Sequence, residues 1–325
     1  MRAMLLILWA VFATLRARLT TGPRRAGWSF GFEVVVRYLR RDWDATADWD
    51  LARLRADTDK RPYPKNAVKK VTLRDETLSG IPARTFVPKD ARDRGVVLFF
   101  HGGSYIYGSA RTTHGELMAE IAIASRTKVV GLDYRLAPEH PYPAQLEDAL
   151  AAVDALVSSG TPLETIVLAG DSAGGNLALV TAIALRDRGG ARPRAMVLLS
   201  PWGDLEMPGA SYQENERYDF GTREVLVRHA RAFAGDVPLG DPRVSPIHAE
   251  LGGLPPALVE VGECEIPRDD IVRLADALEA AGTNVTRHVA KDMPHNAAVF
   301  SAFHPSGKAA LQAVATFVAE QLSTA

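Results

Sequence analysis

The chain has 325 residues, 47% of them hydrophobic and 24% charged, with a formal net charge of −1. This composition excludes a mainly disordered, collagenous or coiled-coil chain, and the near-neutral charge lacks the electrostatic footprint of a nucleic-acid binder. The one cysteine, Cys264, forms no internal disulfide and no cysteine-based metal site, so the cytoplasm is the default location.

The amino terminus is physically distinct. Residues 1–41 hold eight Arg and one Glu, a net +7 against −1 for the whole chain. An apolar run from Ala3 to Leu15 is flanked by Arg2, Arg16 and Arg18, and thirteen residues are too few to span a bilayer as a helix. Val11-Phe12-Ala13 and the basic stretch after it fit a signal cleavage site poorly. The segment is expected to be an interfacial helix on a lipid surface or a lid helix packed on the body.

Val68 to Phe86 reads as an antiparallel edge hairpin. From residue 95 onward, short β-branched apolar runs alternate with helical patterns, the signature of an α/β protein. The expected strands are Val96–Phe100, Lys128–Tyr134, Thr165–Ala169, Ala195–Leu199, Pro256–Val261 and Thr286–Ala290. Each is apolar enough to be buried on both faces of a parallel sheet. The expected helices are His114–Ser125, Ala144–Ser158, Ala173–Arg188, Arg268–Ala281 and Ser306–Gln321, with Gly282 suited to the cap of the fourth. Residues 1–60 and 205–245 break this rhythm and are expected to cover one end of the sheet as a helical cap, leaving 61–204 and 246–325 as the α/β body. Trp28, Phe30, Phe32, Phe220 and Phe233 are expected at the mouth beneath that cap.

Two motifs follow expected strands. Gly170-Asp171-Ser172-Ala173-Gly174-Gly175 opens a helix, as a nucleophile elbow does: the serine sits on a strained turn with its hydroxyl exposed, and side chains at the flanking glycines would strike neighbouring backbone. The plain alternative is a helix cap by Ser172. His101-Gly102-Gly103-Ser104-Tyr105 lies where an oxyanion loop belongs, with small residues leaving backbone N–H groups open to a developing negative oxygen.

With these motifs and Asp133-Tyr134-Arg135-Leu136-Ala137-Pro138-Glu139-His140-Pro141-Tyr142-Pro143-Ala144, the chain resembles the hormone-sensitive lipase group of α/β-hydrolase esterases, in order from about residue 95 to 320. The resemblance implies an α/β-hydrolase fold with an eight-stranded, mostly parallel sheet and a helical cap. It also implies hydrolysis of small carboxylic esters without a cofactor, short to medium acyl chains being the usual preference. It makes Ser172 the nucleophile, and it places the oxyanion hole at Gly102, Gly103 and Ser104 with the N–H of Ala173. The family loop usually reads HGGG, so Ser104 departs from it; the N–H survives, but a glycine-only backbone angle there would strain serine. His101 is expected to orient this loop.

The base should follow the last strand, where Met293-Pro294-His295-Asn296 stands, so His295 is the choice. His101 and His140 lie in other motifs, His288 is inside a strand, and His114, His229, His248 and His304 fall in helices or surface turns. The family's acid, an Asp opening D-P-L-x-D-E, aligns with Glu265 of Glu265-Ile266-Pro267-Arg268-Asp269-Asp270. Glutamate can hold the imidazole as aspartate does. Glu263, Asp269 and Asp270 are the rival acids, the last two at a helix amino terminus where acids commonly only face the dipole.

Asp171 is expected to be a structural acceptor, Tyr134, Arg135 and Glu139 to fix a loop, and Cys264 to be a buried filler. No H-E-x-x-H or comparable ligand cluster suggests a metal. The candidate partners are a small ester, a lipid surface met through residues 1–41 and a second copy of the chain. The rival reading is a member of this fold that binds a ligand without catalysis.

Overall fold

The structure is a computed structural model that describes residues 2–61 and 65–323. Its centre is an eight-stranded sheet in the order β1-β2-β4-β3-β5-β6-β7-β8. β1 (Val71–Leu78) and β2 (Ile81–Pro88) form the antiparallel hairpin, and β2 also runs antiparallel to β4 (Lys128–Leu132). The hairpin turns at Ser79 and Gly80, both at positive φ (50° and 83°), the backbone a two-residue turn requires. β3 (Val96–Phe100), β5 (Ile166–Asp171), β6 (Ala195–Leu199), β7 (Ala257–Gly262) and β8 (Val285–Ala290) continue in parallel. The sheet is therefore eight-stranded and mostly parallel, as expected.

β3, β5, β6 and β7 are buried at every position, as continuous apolar runs predict. β8 departs from that expectation. It is an edge strand, so only one side of it is paired, and Val289 is 62% exposed.

Helices α4 (Gly115–Ser125), α5 (Ala144–Ser158), α6 (Ala173–Arg188), α9 (Arg268–Ala280) and α10 (Pro305–Ser323) match the expected body helices to within two residues at each end. Gly282, just past α9, takes φ +89°, the left-handed angle that glycine adopts freely.

The segments that break the α/β rhythm are helical. α1 (Arg2–Thr20), α2 (Phe30–Thr46) and α3 (Leu51–Asp59) form the amino-terminal part, and α7 (Ser211–Glu214) and α8 (Arg223–Ala234) the insertion. The two parts touch: Trp43 Nε1 donates to Thr222 Oγ1 at 3.2 Å, Arg40 reaches Glu216 at 2.8 Å, and Arg228 reaches Asp48 at 3.1 Å. α1 revises one expectation. Helical structure continues past the apolar run to 19 residues, long and apolar enough by length and composition to cross a membrane.

Candidate active site

The carboxyl ends of the central strands open into a cavity of about 520 Å³, within the usual range for ligand sites. Ser172, His295, Gly103 and Ser104 line it. Ser172 occupies a turn between β5 and α6 with φ 55° and ψ −118°, a strained angle for a side-chain-bearing residue. Its hydroxyl does not cap α6, so the helix-cap alternative fails. The flanking glycines are sterically required: a Cβ on Gly170 would strike the Gly174 carbonyl, and one on Gly174 the Phe100 carbonyl.

Glu265 and His295 are joined directly, with Glu265 Oε2 at 2.7 Å from His295 Nδ1. The other Glu265 oxygen accepts from Ser200 Oγ at 3.0 Å and from the N–H of Gly262. Ser200 Oγ in turn accepts from Asn296 N–H at 3.0 Å, tying Glu265 to the loop of His295. The rival acids are engaged elsewhere. Glu263 pairs with Arg25 at 3.1 Å, Asp269 with Arg268 at 2.8 Å, and Asp270 with Arg273 at 2.9 Å. The structure thus brings Glu265 and His295 together and sets His295 and Ser172 in one cavity wall, while no Ser172–His295 hydrogen bond is formed among the described residues. Such bonds commonly tighten only when substrate is bound.

Burial opposes charge on the imidazole, but the hydrogen bond and charge of Glu265, helped by Asp219 and Asp171, win and raise the His295 pKa to about 9. A histidine must be unprotonated to accept a proton, so an elevated pKa moves its active form toward alkaline pH. After subtraction of spontaneous hydrolysis, kcat/KM for p-nitrophenyl butyrate is expected to rise about tenfold per pH unit up to pH about 9 and then level. A profile already flat from pH 6 would contradict this.

Asp171 is the structural acceptor that was expected. Fully buried, it receives Gly102 N–H on Oδ1 at 2.9 Å, and on Oδ2 it meets Asn296 Nδ2 at 2.7 Å and His114 Nε2 at 3.1 Å. Burial alone would raise its pKa, yet His114 and the Gly102 N–H hold it below the usual carboxylate value. One carboxylate therefore joins the loop after β3, the start of α4 and the loop carrying His295.

This corrects one part of the expected oxyanion hole. The N–H of Gly102 is committed to Asp171 and is not a free donor. Among the described residues, the N–H groups of Gly103, Ser104 and Ala173 make no hydrogen bond. Gly103 has φ 116°, open only to glycine, and a Cβ there would strike the Tyr107 carbonyl. Ser104 has φ 55°, a left-handed angle that serine occupies at a cost of roughly 1–2 kcal/mol. His101 stacks on Tyr134 at 4.3 Å, and Tyr134 OH donates to the His101 carbonyl at 2.5 Å. Burial, reinforced by His114, lowers the His101 pKa to about 4 and keeps the ring neutral. Arg135 pairs with Asp148 at 2.8 Å and Glu139 with Arg55 at 2.8 Å, so this segment does brace the loop.

Two carboxyls escaped the sequence reading. Asp219, buried within the insertion, accepts Ile266 N–H at 2.8 Å and His295 N–H at 3.2 Å, fixing the backbone beside Glu265 and at His295. No motif marks it. Glu260 lies inside β7, where burial and the charge of Glu265 raise its pKa to about 8. A charged residue within an apolar strand was the available signal. Cys264 is buried and its thiol pKa is raised to about 12 by that burial, so it is an inert filler.

The wall of the cavity also differs from expectation. Of the five aromatics expected at the mouth, only Phe220 lines it. Trp28 and Phe32 pack edge-on against each other, with Phe32 also against Phe300, Phe233 stacks on Tyr105 at 3.7 Å, and Phe30 is 39% exposed. The apolar wall comes instead from Leu39, Trp43, Tyr107, Trp202, Ile266 and Phe300, among others.

Comparison with known proteins agrees with this geometry. Residues 97–299 match a family model described as alpha/beta hydrolase fold. An esterase of Acinetobacter venetianus is 33% identical over 261 residues, covering 79% of this chain and 84% of the relative. An acetyl-hydrolase of Streptomyces hygroscopicus is 39% identical over 237 residues, covering 70% of this chain and 76% of the relative. Among solved structures, an esterase from the bacterial hormone-sensitive lipase family superposes with a TM-score of 0.77 at 34% identity, over 98% of both chains. An esterase/lipase from an uncultured bacterium gives a TM-score of 0.81 at 29% identity, over 97% of this chain and 98% of that one. With a matching fold, a matching family model and esterase relatives along most of its length, the chain belongs to the α/β-hydrolase family as a carboxylesterase of the hormone-sensitive lipase type.

Proposed function

We propose that this carboxylic ester hydrolase works through a Ser172-His295-Glu265 triad and an acyl-enzyme, on apolar esters with short to medium acyl chains. The observation that carries the reading is the 2.7 Å contact of His295 with Glu265 at a cavity that also holds Ser172 and the unpaired N–H groups of Gly103 and Ser104. Ser172 Oγ gives its proton to His295 and attacks the ester carbonyl carbon, while Glu265 stabilises the imidazolium. The negative oxygen is received by the N–H groups of Gly103, Ser104 and Ala173. The alcohol leaves with the proton from His295. Water then gives a proton to His295 and attacks the acyl carbon; the acyl–oxygen bond to Ser172 breaks, His295 returns the proton to Ser172 Oγ, and the carboxylic acid leaves.

Residues 1–60 and 205–245 act in this reading as the cap. They supply Leu39, Trp43 and Phe220 to an apolar wall that suits a hydrocarbon chain and not a charged one. Two further proposals stand apart from this chemistry: a cytoplasmic location, on the single Cys264 with no second cysteine to pair with, and contact with a lipid surface through residues 1–41, on the exposed face of α1.

A p-nitrophenyl ester series from acetate to palmitate tests the substrate preference. The expected kcat/KM peaks between the short and medium chains and is unaffected by chelators. A maximum at palmitate, or turnover lost with a chelator, would overturn the reading.

A further inference from the structure

The helix α1 has its polarity inverted. A helix packed on a water-soluble body normally turns its large apolar side chains inward and its polar ones to water. In α1, Met4, Leu5, Leu8, Phe12, Leu15 and Leu19 are 49–78% exposed, and Trp9 is 44% exposed. The residues turned inward are mostly small: Ala10 and Thr14 are buried, and Ala3, Ala13 and Ala17 half-buried. A contiguous apolar face of this kind marks an interaction surface.

The way α1 is held restricts what that surface meets. Near its start, Arg2 reaches Asp42 at 2.7 Å and Asp57 at 3.1 Å. Near its end, Arg18 reaches the fully buried Glu33 at 2.9 Å and the Trp28 carbonyl at 2.6 Å. Pinned at both ends, the helix lies along the body with its outer face open, and turning it to cross a bilayer would strip Glu33 of one of its two arginine partners. The exposed charge beside this face is positive. Arg16 and Arg41 are the exposed arginines of residues 1–41, and neither makes an ion pair among the described residues. Arg41 lies over the Trp9 ring at 5.2 Å. Apolar and aromatic side chains flanked by two arginines without ion-pair partners match a bilayer interface with anionic headgroups.

The opposite side of α2 leads to the cavity. Glu33 and Arg41 contact α1 through Arg18 and Trp9, whereas Val35, Leu39 and Trp43 line the cavity. Residues two apart on a helix lie about 200° around its axis. A single helix therefore separates the apolar outer face from the cavity.

We infer that α1 is an interfacial anchor that seats this protein on an anionic lipid bilayer, where it meets esters dissolved in lipid. The substrate part rests on the hydrolase reading; the anchoring does not. The test is sedimentation of the full chain with phosphatidylcholine vesicles, with and without phosphatidylglycerol, beside turnover of the soluble ester p-nitrophenyl butyrate. Wild type and Ser172→Ala are both expected to pellet with phosphatidylglycerol vesicles, less so as salt is raised. Leu8→Asp/Phe12→Asp is expected to pellet about tenfold less or lower still while hydrolysing the soluble ester at the wild-type rate. Arg16→Glu/Arg41→Glu, which leaves the apolar face intact, should lose the preference for phosphatidylglycerol. Equal pelleting of wild type and both double variants, or none by wild type, would overturn the anchor. A wild-type dimer that Leu8→Asp/Phe12→Asp splits, without vesicle binding, would overturn it too and assign the face to a second copy.

Discussion

Ser172→Ala is expected to reduce turnover of p-nitrophenyl butyrate by about 10⁶-fold while leaving the folded state intact. The magnitude follows from the role: without the hydroxyl no acyl-enzyme forms, and what remains is binding and oxyanion stabilisation of direct attack by water. The fold should tolerate the change because Ser172 Oγ neither caps α6 nor fills the core. Alanine at φ 55° still carries the strain that serine does, so the thermal midpoint should move little. Circular dichroism with steady-state kinetics reads both quantities. A variant that keeps more than about a tenth of wild-type turnover, well above that residual, would show that another group attacks the ester.

Glu265→Gln is the second large effect, with an expected loss of about 10⁴-fold in kcat, the scale seen when a triad acid becomes its amide. Glutamine keeps the shape and can still accept from Ser200 and Gly262, so the loop should hold. It removes the charge that raises the His295 pKa to about 9 against the desolvation that lowers it, so whatever activity remains should reach its plateau at lower pH. Asp269→Asn is the control. Asp269 is engaged by Arg268 and the Ser211 N–H and has no contact with His295, so its amide should stay within a few-fold of wild type. The opposite order of losses would transfer the acid role to Asp269.

Much of the candidate site is legible in the residue order because its chemistry demands local patterns. The serine needs glycines on either side for steric reasons that Gly170 and Gly174 display, and the loop of Gly103 needs a positive φ. Both motifs also follow strands that announce themselves as apolar runs. The candidate acid is less legible: Glu263, Glu265, Asp269 and Asp270 sit within eight positions, and contacts made only in three dimensions separate the first two from each other. Arg25 neutralises Glu263, Arg268 and Arg273 engage Asp269 and Asp270, and of these four carboxyls only Glu265 reaches the His295 ring. The aromatics were misplaced for a related reason. Residue type makes Trp28, Phe32 and Phe233 apolar, but which apolar surface each one covers is set by helix packing.

By itself, then, the order of residues determined the α/β architecture, the elbow at Ser172, the loop at Gly103 and the candidate histidine, because hydrophobic period, glycine and turn chemistry act over a few neighbouring positions. Folding in three dimensions decided what depends on distant partners: the commitment of Gly102 to Asp171, the hold of Asp219 on the backbone beside Glu265 and at His295, and the outward turn of the large side chains of α1. Hydrogen bonds and burial are properties of spatial neighbours, and these neighbours lie 47 to 76 positions apart in the case of Asp171 and Asp219.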